Sequence, residues 1–441
     1  MKKHNLYALV AAGLLASGMS ISSASAADLG GNCCADLEER IAELEATTAR
    51  KGNRKVSLTV SGWVGQQISF WDDGVESNAY VHDVGTTLGS HVKFTGSAQI
   101  SPGWSAGYVL QIEAIGSDGL TTSQTVPDGP AVFGGAGGTQ VLQSYWFVKS
   151  DQLGKVSVGL QSQASDNTAI LVDGSGSLVP ANWVAYDTNS FAVRNTGNLN
   201  LTWGNAQSCY GEGGAWGDCN GLPQNSVRYD TPTFGGFSAS ASWGEDDFWD
   251  VALRYAGEFS GFKLAAAAAY NEVTDQRYNG GSNVPDQQYF QAGAFLMHVP
   301  TGLFGLVNYG YLETDALDVT GTNSDLVANE AETWYGKIGL RSRLSALGHT
   351  VFYGEYLNGQ DGGFGVDDLG DAVAGNDVVV QATGSELEVW GVGIVQEVDA
   401  AAMSVWVKYR HLEVDGLVDS TGAAVGGDDF DYVGVGGLIN F

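Results

Sequence analysis

The chain is 441 residues long and carries 50 acidic against 20 basic side chains, a formal charge of −30. That sign argues against nucleic acid as a partner, because phosphate binding needs the opposite charge. Four cysteines are too few for a fold that depends on many crosslinks. The 63 glycines, only 8 prolines and an aromatic share of 11% instead suit close-packed strands with few ladder breaks.

Residues 1–26 read as a secretory signal peptide, with Lys2 and Lys3 leading, an apolar core from Leu6 to Ala16, and Ala24-Ser25-Ala26 as the cleavage box. Processing leaves Ala27 as the new N-terminus. No later stretch approaches the roughly 18 consecutive apolar residues that a membrane helix needs, so an α-helical membrane protein is excluded. Residues 27–55 form an N-terminal periplasmic segment, in which Leu37, Ile41 and Leu44 recur at four-three spacing among charges. This predicts a short amphipathic helix of about two heptads. Alone it would be marginal in water, so it is read as a small coiled coil formed by several subunits, with a solitary helix under the barrel as the alternative. Cys33 and Cys34 are adjacent; each could pair with its equivalent in another subunit or remain free.

From Val56 to the end the period changes to two. Val56, Leu58, Val60, Val64, Ile68 and Phe70 share one face, and Ser57, Thr59, Ser61, Gln67 and Ser69 the other. Such alternation suits a strand with hydrocarbon on one side and a polar lumen on the other, its backbone paired in a closed sheet. Further segments follow at 92–100, 104–112, 141–149, 155–162, 225–231, 235–245, 248–258, 261–271, 288–299, 303–313, 332–345, 348–358, 385–399, 401–414 and 428–441. The expected fold is all-β: a membrane-spanning antiparallel β-barrel of about 16 strands over residues 56–441, preceded by the short periplasmic α-helix. Connections alternate between short turns such as Ser101-Pro102-Gly103 and long Gly/Asp-rich loops, the asymmetry expected of periplasmic turns and external loops. Cys209 and Cys219 bracket a Gly-rich loop tip, where an oxidising compartment favours a disulfide.

Register also says which charges face the lumen. On 332–345, Trp334, Ile338, Leu340 and Leu344 point outward, which turns Tyr335, Lys337, Arg341 and Arg343 inward. On 401–414, Met403, Val405, Val407 and Tyr409 point outward, which turns Lys408 and Arg410 inward. Lys93, Arg254 and Lys263 follow the same logic. A basic side chain in mid-bilayer lipid costs roughly 2–4 kcal/mol, so the inward register is the physically sensible one.

The run Asn225-Ser-Val-Arg-Tyr-Asp-Thr-Pro-Thr-Phe-Gly-Gly-Phe-Ser238, the first strand Ser57-Leu-Thr-Val-Ser-Gly-Trp63 and the terminal Phe441 resemble the porins of the alphaproteobacterial outer membrane. The resemblance covers essentially the whole mature chain. It implies a homotrimer of sixteen-stranded barrels in a Gram-negative outer membrane, with a third external loop folded inward to narrow the pore. The longest connection here, about 163–224, sits in that third position. It supplies Asp166, Asp173 and Asp187, set against a basic wall of Lys337, Arg341, Arg343, Arg410, Lys408 and Lys93. Opposed walls of this kind create a transverse field that orients dipolar solutes. The resemblance further implies that the terminal aromatic is the signal read by the insertion machinery, and that a mature start at Ala27 can be attached to peptidoglycan.

The expected function is therefore a water-filled channel for passive diffusion of small hydrophilic solutes and ions. The alternatives are a solute-selective channel, for example for sugars, and a structural or peptidoglycan-tethering protein. A sugar channel would line its path with aromatics, and no inward aromatic ladder is read in the sequence. An enzyme would need a nucleophile within reach of a histidine, and none of His82, His91, His298, His349 and His411 has a serine two residues away. No cofactor is expected. Acidic runs at Asp72-Asp73, Glu245-Asp246-Asp247, Asp361, Asp367-Asp368, Asp371 and Asp428-Asp429 could hold Ca²⁺ or Mg²⁺ and bridge to lipopolysaccharide, hydrated loops being the simpler reading.

Overall fold

A computed structural model describes residues 55–441 except 130–137, 198, 208–222, 245–247, 275–286, 315–329, 363, 368–377, 382–383 and 420–421. The expected signal peptide, helix, Ala27, Cys33, Cys34 and the Cys209–Cys219 pair lie outside the described residues.

The chain runs β1 Thr59–Asp72, β2 Ser77–His82, β3 His91–Ser101, β4 Trp104–Ala114, β5 Thr139–Ser150 and β6 Gly154–Gln161. After the long third loop, with β7 Leu199–Asn200 inside it, come β8 Gln224–Asp230, β9 Phe237–Gly244, β10 Trp249–Phe259, β11 Phe262–Val273, β12 Gln287–His298 and β13 Leu303–Thr314. The remainder is β14 Glu330–Ser342, β15 Thr350–Gln360, β16 Phe364–Asp367, β17 Val378–Gln381, β18 Glu386–Val398, β19 Met403–Asp415 and β20 Phe430–Asn440. Seventeen of these strands form one antiparallel sheet, and β1 pairs with β20 from Trp63↔Asn440 to Asp72↔Asp431, so the sheet closes. Strands β7, β16 and β17 make a small separate sheet among the loops.

Seventeen segments make sixteen staves because the second stave is broken. β3 pairs with the first half of β1 and β2 with its second half, while residues 83–90 leave the ladder between them. The expected strand at 92–100 is thus only the lower part of that stave. Three buried carboxylates tie the break down. Gly85 N donates to Asp83 (2.8 Å), Thr86 N to Asp118 (2.9 Å) and Gly89 N to Glu113 (2.8 Å), so backbone donors outside the ladder still have acceptors.

The alternation of period two holds around the barrel. Ile338 is 72% exposed on the outside and its neighbour Lys337 1% on the inside. Trp334 with Tyr309, Trp390 with Tyr409 and Trp249 with Tyr270 form an outer aromatic girdle at the long-loop end. Phe237 with Tyr255 and Phe259 with Phe262 belong to a second one at the short-turn end, as a lipid-spanning barrel requires. No helix among the described residues is long and apolar enough to cross a membrane.

The tight turns depend on glycine where backbones meet. Gly302 has φ +75°, and a Cβ there would collide with the Arg341 carbonyl oxygen, while its own carbonyl accepts from Arg341 N (2.9 Å). Gly302→Ala should lower the temperature at which the folded barrel unfolds in detergent, by an amount matching about 1–3 kcal/mol of strain.

Residues 162–207 of the third loop, as far as they are described, run inside the lumen. Their outer part packs Phe191, Leu201 and Trp203 against the inward faces of β1, β18, β19 and β20. Phe191 lies 5.2 Å from Trp71 and 5.1 Å from Phe430, ring centre to ring centre, and Leu387, Val389 and Leu412 complete an apolar cluster.

Candidate functional site

The inner part of the third loop is pinned to the barrel wall by inward side chains of successive strands. Arg228 of β8 donates to the carbonyls of Ser162 and Gln163 (2.9 Å each) and is held in place by Asp230, which also pairs with Lys155 (3.1 Å). The Arg-Tyr-Asp alternation puts both of those charges on the lumen side at the root of the loop. Asp250 of β10 accepts from Ser165 N (2.5 Å), and Arg254 of the same strand donates to Ala164 O (2.5 Å) and Thr168 Oγ1 (2.9 Å). On β12, Gln291 accepts from Ala169 N (2.8 Å) and donates to Ser165 O (2.9 Å).

Beyond that root the pins are ion pairs. Lys337 of β14 donates to Asp173 (2.5 Å), Asn182 Oδ1 (2.6 Å) and Ser177 Oγ (3.0 Å), all with no exposed Lys337 or Asp173 side-chain surface. Lys408 of β19 donates to Asp187 (2.5 Å) and Pro180 O (3.1 Å). Arg410, two residues on, reaches Asp187 (2.7 Å), Glu355 of β15 (2.8 Å) and the carbonyls of Pro180, Ala181 and Val184. Its planar fork serves two carboxylates and a turn of backbone at once, which an ammonium could not do. Burial pushes the Asp187 carboxyl up, but Lys408 and Arg410 more than offset this and hold it below the usual carboxylate range. Asp166 is the contrasting case. Burial raises its carboxyl to about 6 despite help from Ser162, Arg228 and Asn167.

Asp173 and Asp187 therefore meet Lys337, Lys408 and Arg410 in direct contact, with no water gap between them. Arg341 sits nearer the short-turn end and pairs with Glu397 (2.7 Å). Arg343 lies past the end of β14, half-exposed and paired with Asp399, apart from the loop. Lys93 stands on the opposite wall. The sequence reading did not single out Asp230, Asp250, Gln291 or Glu355, although their inward register could have marked them.

Of the acidic runs, Asp73 holds Arg194 of the third loop (2.7 Å), Asp72 accepts from Gly74 N (3.0 Å) and Asp361 accepts from Gly384 N (2.5 Å). Asp429 comes within metal-ligand spacing of His411 and Glu413, with His411 already hydrogen-bonded to Glu413 (2.9 Å) and Asp431 (2.8 Å). Residues 245–247, 368 and 371 lie outside the described residues, as does the side chain of Asp367.

Between the loop and a wall to which β1, β3, β4, β5, β14, β18, β19 and β20 contribute lies a cavity of 580 Å³. It is lined at the long-loop end by Gln143, Ser162 and Pro223 and at the short-turn end by Arg341, Ser404 and Asn440, so it follows the barrel from one side to the other. Three tryptophans also line it, Trp63, Trp183 and Trp406. The sequence reading placed Tyr335 inside but singled out none of these three, and read no inward aromatic ladder.

A closed, lipid-facing barrel with a loop docked inside and a passage beside it is the architecture of an outer-membrane channel. The family model of Gram-negative porins matches residues 8–438, and the chain belongs to that family. Among solved structures, the anion-selective porin from Comamonas acidovorans is similar at a TM-score of 0.56 and 16% identity, over 88% of this chain and 100% of that one. An outer-membrane protein of Vibrio cholerae, OmpT in its trimer form, is similar at 0.50 and 12%, over 88% and 99%. No curated protein matches the chain.

Proposed function

We propose that this protein is a general diffusion porin of the alphaproteobacterial type, a homotrimer whose protomers each pass small hydrophilic solutes and ions. The observation that carries the reading is the cavity lined from the long-loop end to the short-turn end beside the docked loop. In this reading Asp173, Asp187, Lys337, Lys408 and Arg410 set the pore width by fixing the loop, while Arg341 with Glu397, Asp166 and Lys93 supply the charges along the path. The trimer form of the Vibrio protein supports the oligomer, and the acidic long-loop end fits divalent bridging to lipopolysaccharide. Attachment of Ala27 to peptidoglycan, a coiled coil at 34–50 and a Cys209–Cys219 disulfide complete the proposal.

Purified protein added to a planar bilayer should give stepwise conductance in groups of three. A membrane that stays silent, with folded barrel present, would refute the channel. A solute-selective channel is the second reading, favoured by Trp63, Trp183 and Trp406 along the passage.

A further inference from the structure

Five basic side chains are buried among the described residues: Lys93, Arg228, Lys337, Lys408 and Arg410. Four of them grip carboxylates, carbonyls or both. The Lys93 side chain alone has neither hydrogen bond nor ion pair with the described residues, although only 6% of it is exposed and it lines the cavity. With so little of the side chain exposed, its ammonium reaches solution only through the cavity, and an anion arriving there would be its counter-charge.

Its neighbours form a built row. Ser61 of β1 lies directly opposite Lys93 of β3, Lys93 opposite Gln111 of β4, and Gln111 opposite Gln143 of β5. All four side chains are on the lumen face and line the same cavity. The Gln111 side chain is likewise buried and makes no hydrogen bond to the described residues, and that of Gln143 only a long one to Ser162 (3.4 Å). The row thus presents a hydroxyl, an ammonium and two amides at successive strand spacings of about 4.8 Å, so that Lys93 and an adjacent donor can meet the oxygens of one anion.

The facing surface combines an apolar stretch with Asp166, Asn167 and Asp173, the last of which is already paired with Lys337. Leu171, Leu178, Val179, Pro180 and Trp183 of the docked loop line the cavity, and Trp63 beside Ser61 adds a ring whose Nε1 is already engaged by Leu88 O (3.0 Å). With its polar edge satisfied, Trp63 offers a face only. A hydrated inorganic ion would gain nothing from that side, whereas a carboxylate with an apolar body would gain from both.

We infer that the cavity is a binding site for small organic carboxylates with an apolar or aromatic body, their oxygens on the Ser61–Lys93–Gln111–Gln143 row and their hydrocarbon against the docked loop. This rests on the channel reading and names its solute class. Lys337, Lys408, Arg410 and Arg341 are each paired with a carboxylate, so the net −30 of the chain does not by itself decide what the narrow part prefers.

The test is single-channel chloride current through the full-length protein in a planar bilayer, with benzoate or inorganic phosphate added. Benzoate should interrupt the current at concentrations at which phosphate does not. In Lys93→Gln the block should be roughly tenfold weaker, the loss of one charge-assisted contact, while Lys93→Arg should retain most of it. Equal block by phosphate and benzoate overturns the apolar half of the site, and unchanged block in Lys93→Gln overturns the row. A wild-type protein that conducts but is unaffected by benzoate removes this inference and leaves the porin standing; one that never conducts removes both.

Discussion

Arg410→Ala should loosen the third loop more than any other single change in the lumen. The guanidinium is fully buried, holds Asp187 and Glu355, and donates to the carbonyls of Pro180, Ala181 and Val184. Its removal leaves Glu355 with the Tyr335 hydroxyl (2.7 Å) as its remaining hydrogen-bond donor, and Asp187 sharing Lys408 with the Pro180 carbonyl. Breaking a buried charge pair from one side costs about 3–5 kcal/mol, because the partner charge stays buried. That is enough to shift the docked loop from nearly always seated to often released. The loop contains its own reporter, since Arg194 is the only lysine or arginine in residues 162–223. Wild-type protein should resist trypsin there, with Arg194 clasped by Asp73 (2.7 Å) and Glu76 (2.5 Å). Arg410→Ala should be cut at Arg194 while the barrel stays folded, and its conductance should rise with frequent substates. An uncut variant with wild-type conductance would show that the remaining pins suffice.

The same residues show what alternation makes legible. Lys337, Lys408 and Arg410 were placed inward because lipid-facing Ile338, Val407 and Tyr409 left no other side for them, and the structure puts all three inside. What register could not give is where they end. The loop is nowhere near these strands in sequence, so contact between Asp187 and Arg410, 223 positions apart, is decided by the path of a non-repeating segment. Arg343 has the parity of Arg341, but β14 ends at Ser342, and beyond a strand end parity no longer says which way a side chain points. Residues 77–82 escaped notice because the break at 83–90 interrupts the period, and because Ser77-Asn78-Ala79 offers no greasy face. Trp63 and Trp406 were readable as inward from their neighbours. Trp183, on the loop, was not.

Asp187→Asn and Asp166→Asn should act in opposite directions, though both remove one acid from the same loop. Asp187 accepts from Lys408, Arg410, Gln67 and the Tyr432 hydroxyl, and its carboxyl lies below the unfolded value of 3.8. A depressed carboxyl contributes stability that is present above about pH 4 and is lost as pH falls through the folded value. Neutralising it leaves two buried cations with Glu355 alone, so Asp187→Asn should release the loop at pH 7 by about 3 kcal/mol or more. Asp166 is raised to about 6, with burial as the main cause. Its sign is reversed: keeping it ionised costs stability above pH 6, and that cost fades as pH drops from 6 towards 3.8. Asp166→Asn removes a cost on the order of 2 kcal/mol at pH 7 and little at pH 4. Conductance noise followed from pH 8 to pH 3, with trypsin cleavage at Arg194 read at pH 7 to 8, should then give three curves. Wild type stays docked until pH falls below about 4, Asp187→Asn is loose throughout, and Asp166→Asn is as tight as wild type or tighter at neutral pH. If Asp166→Asn proved as loose as Asp187→Asn, the acids would be equivalent anchors and the pairing of Asp187 with Lys408 and Arg410 would not be what seats the loop.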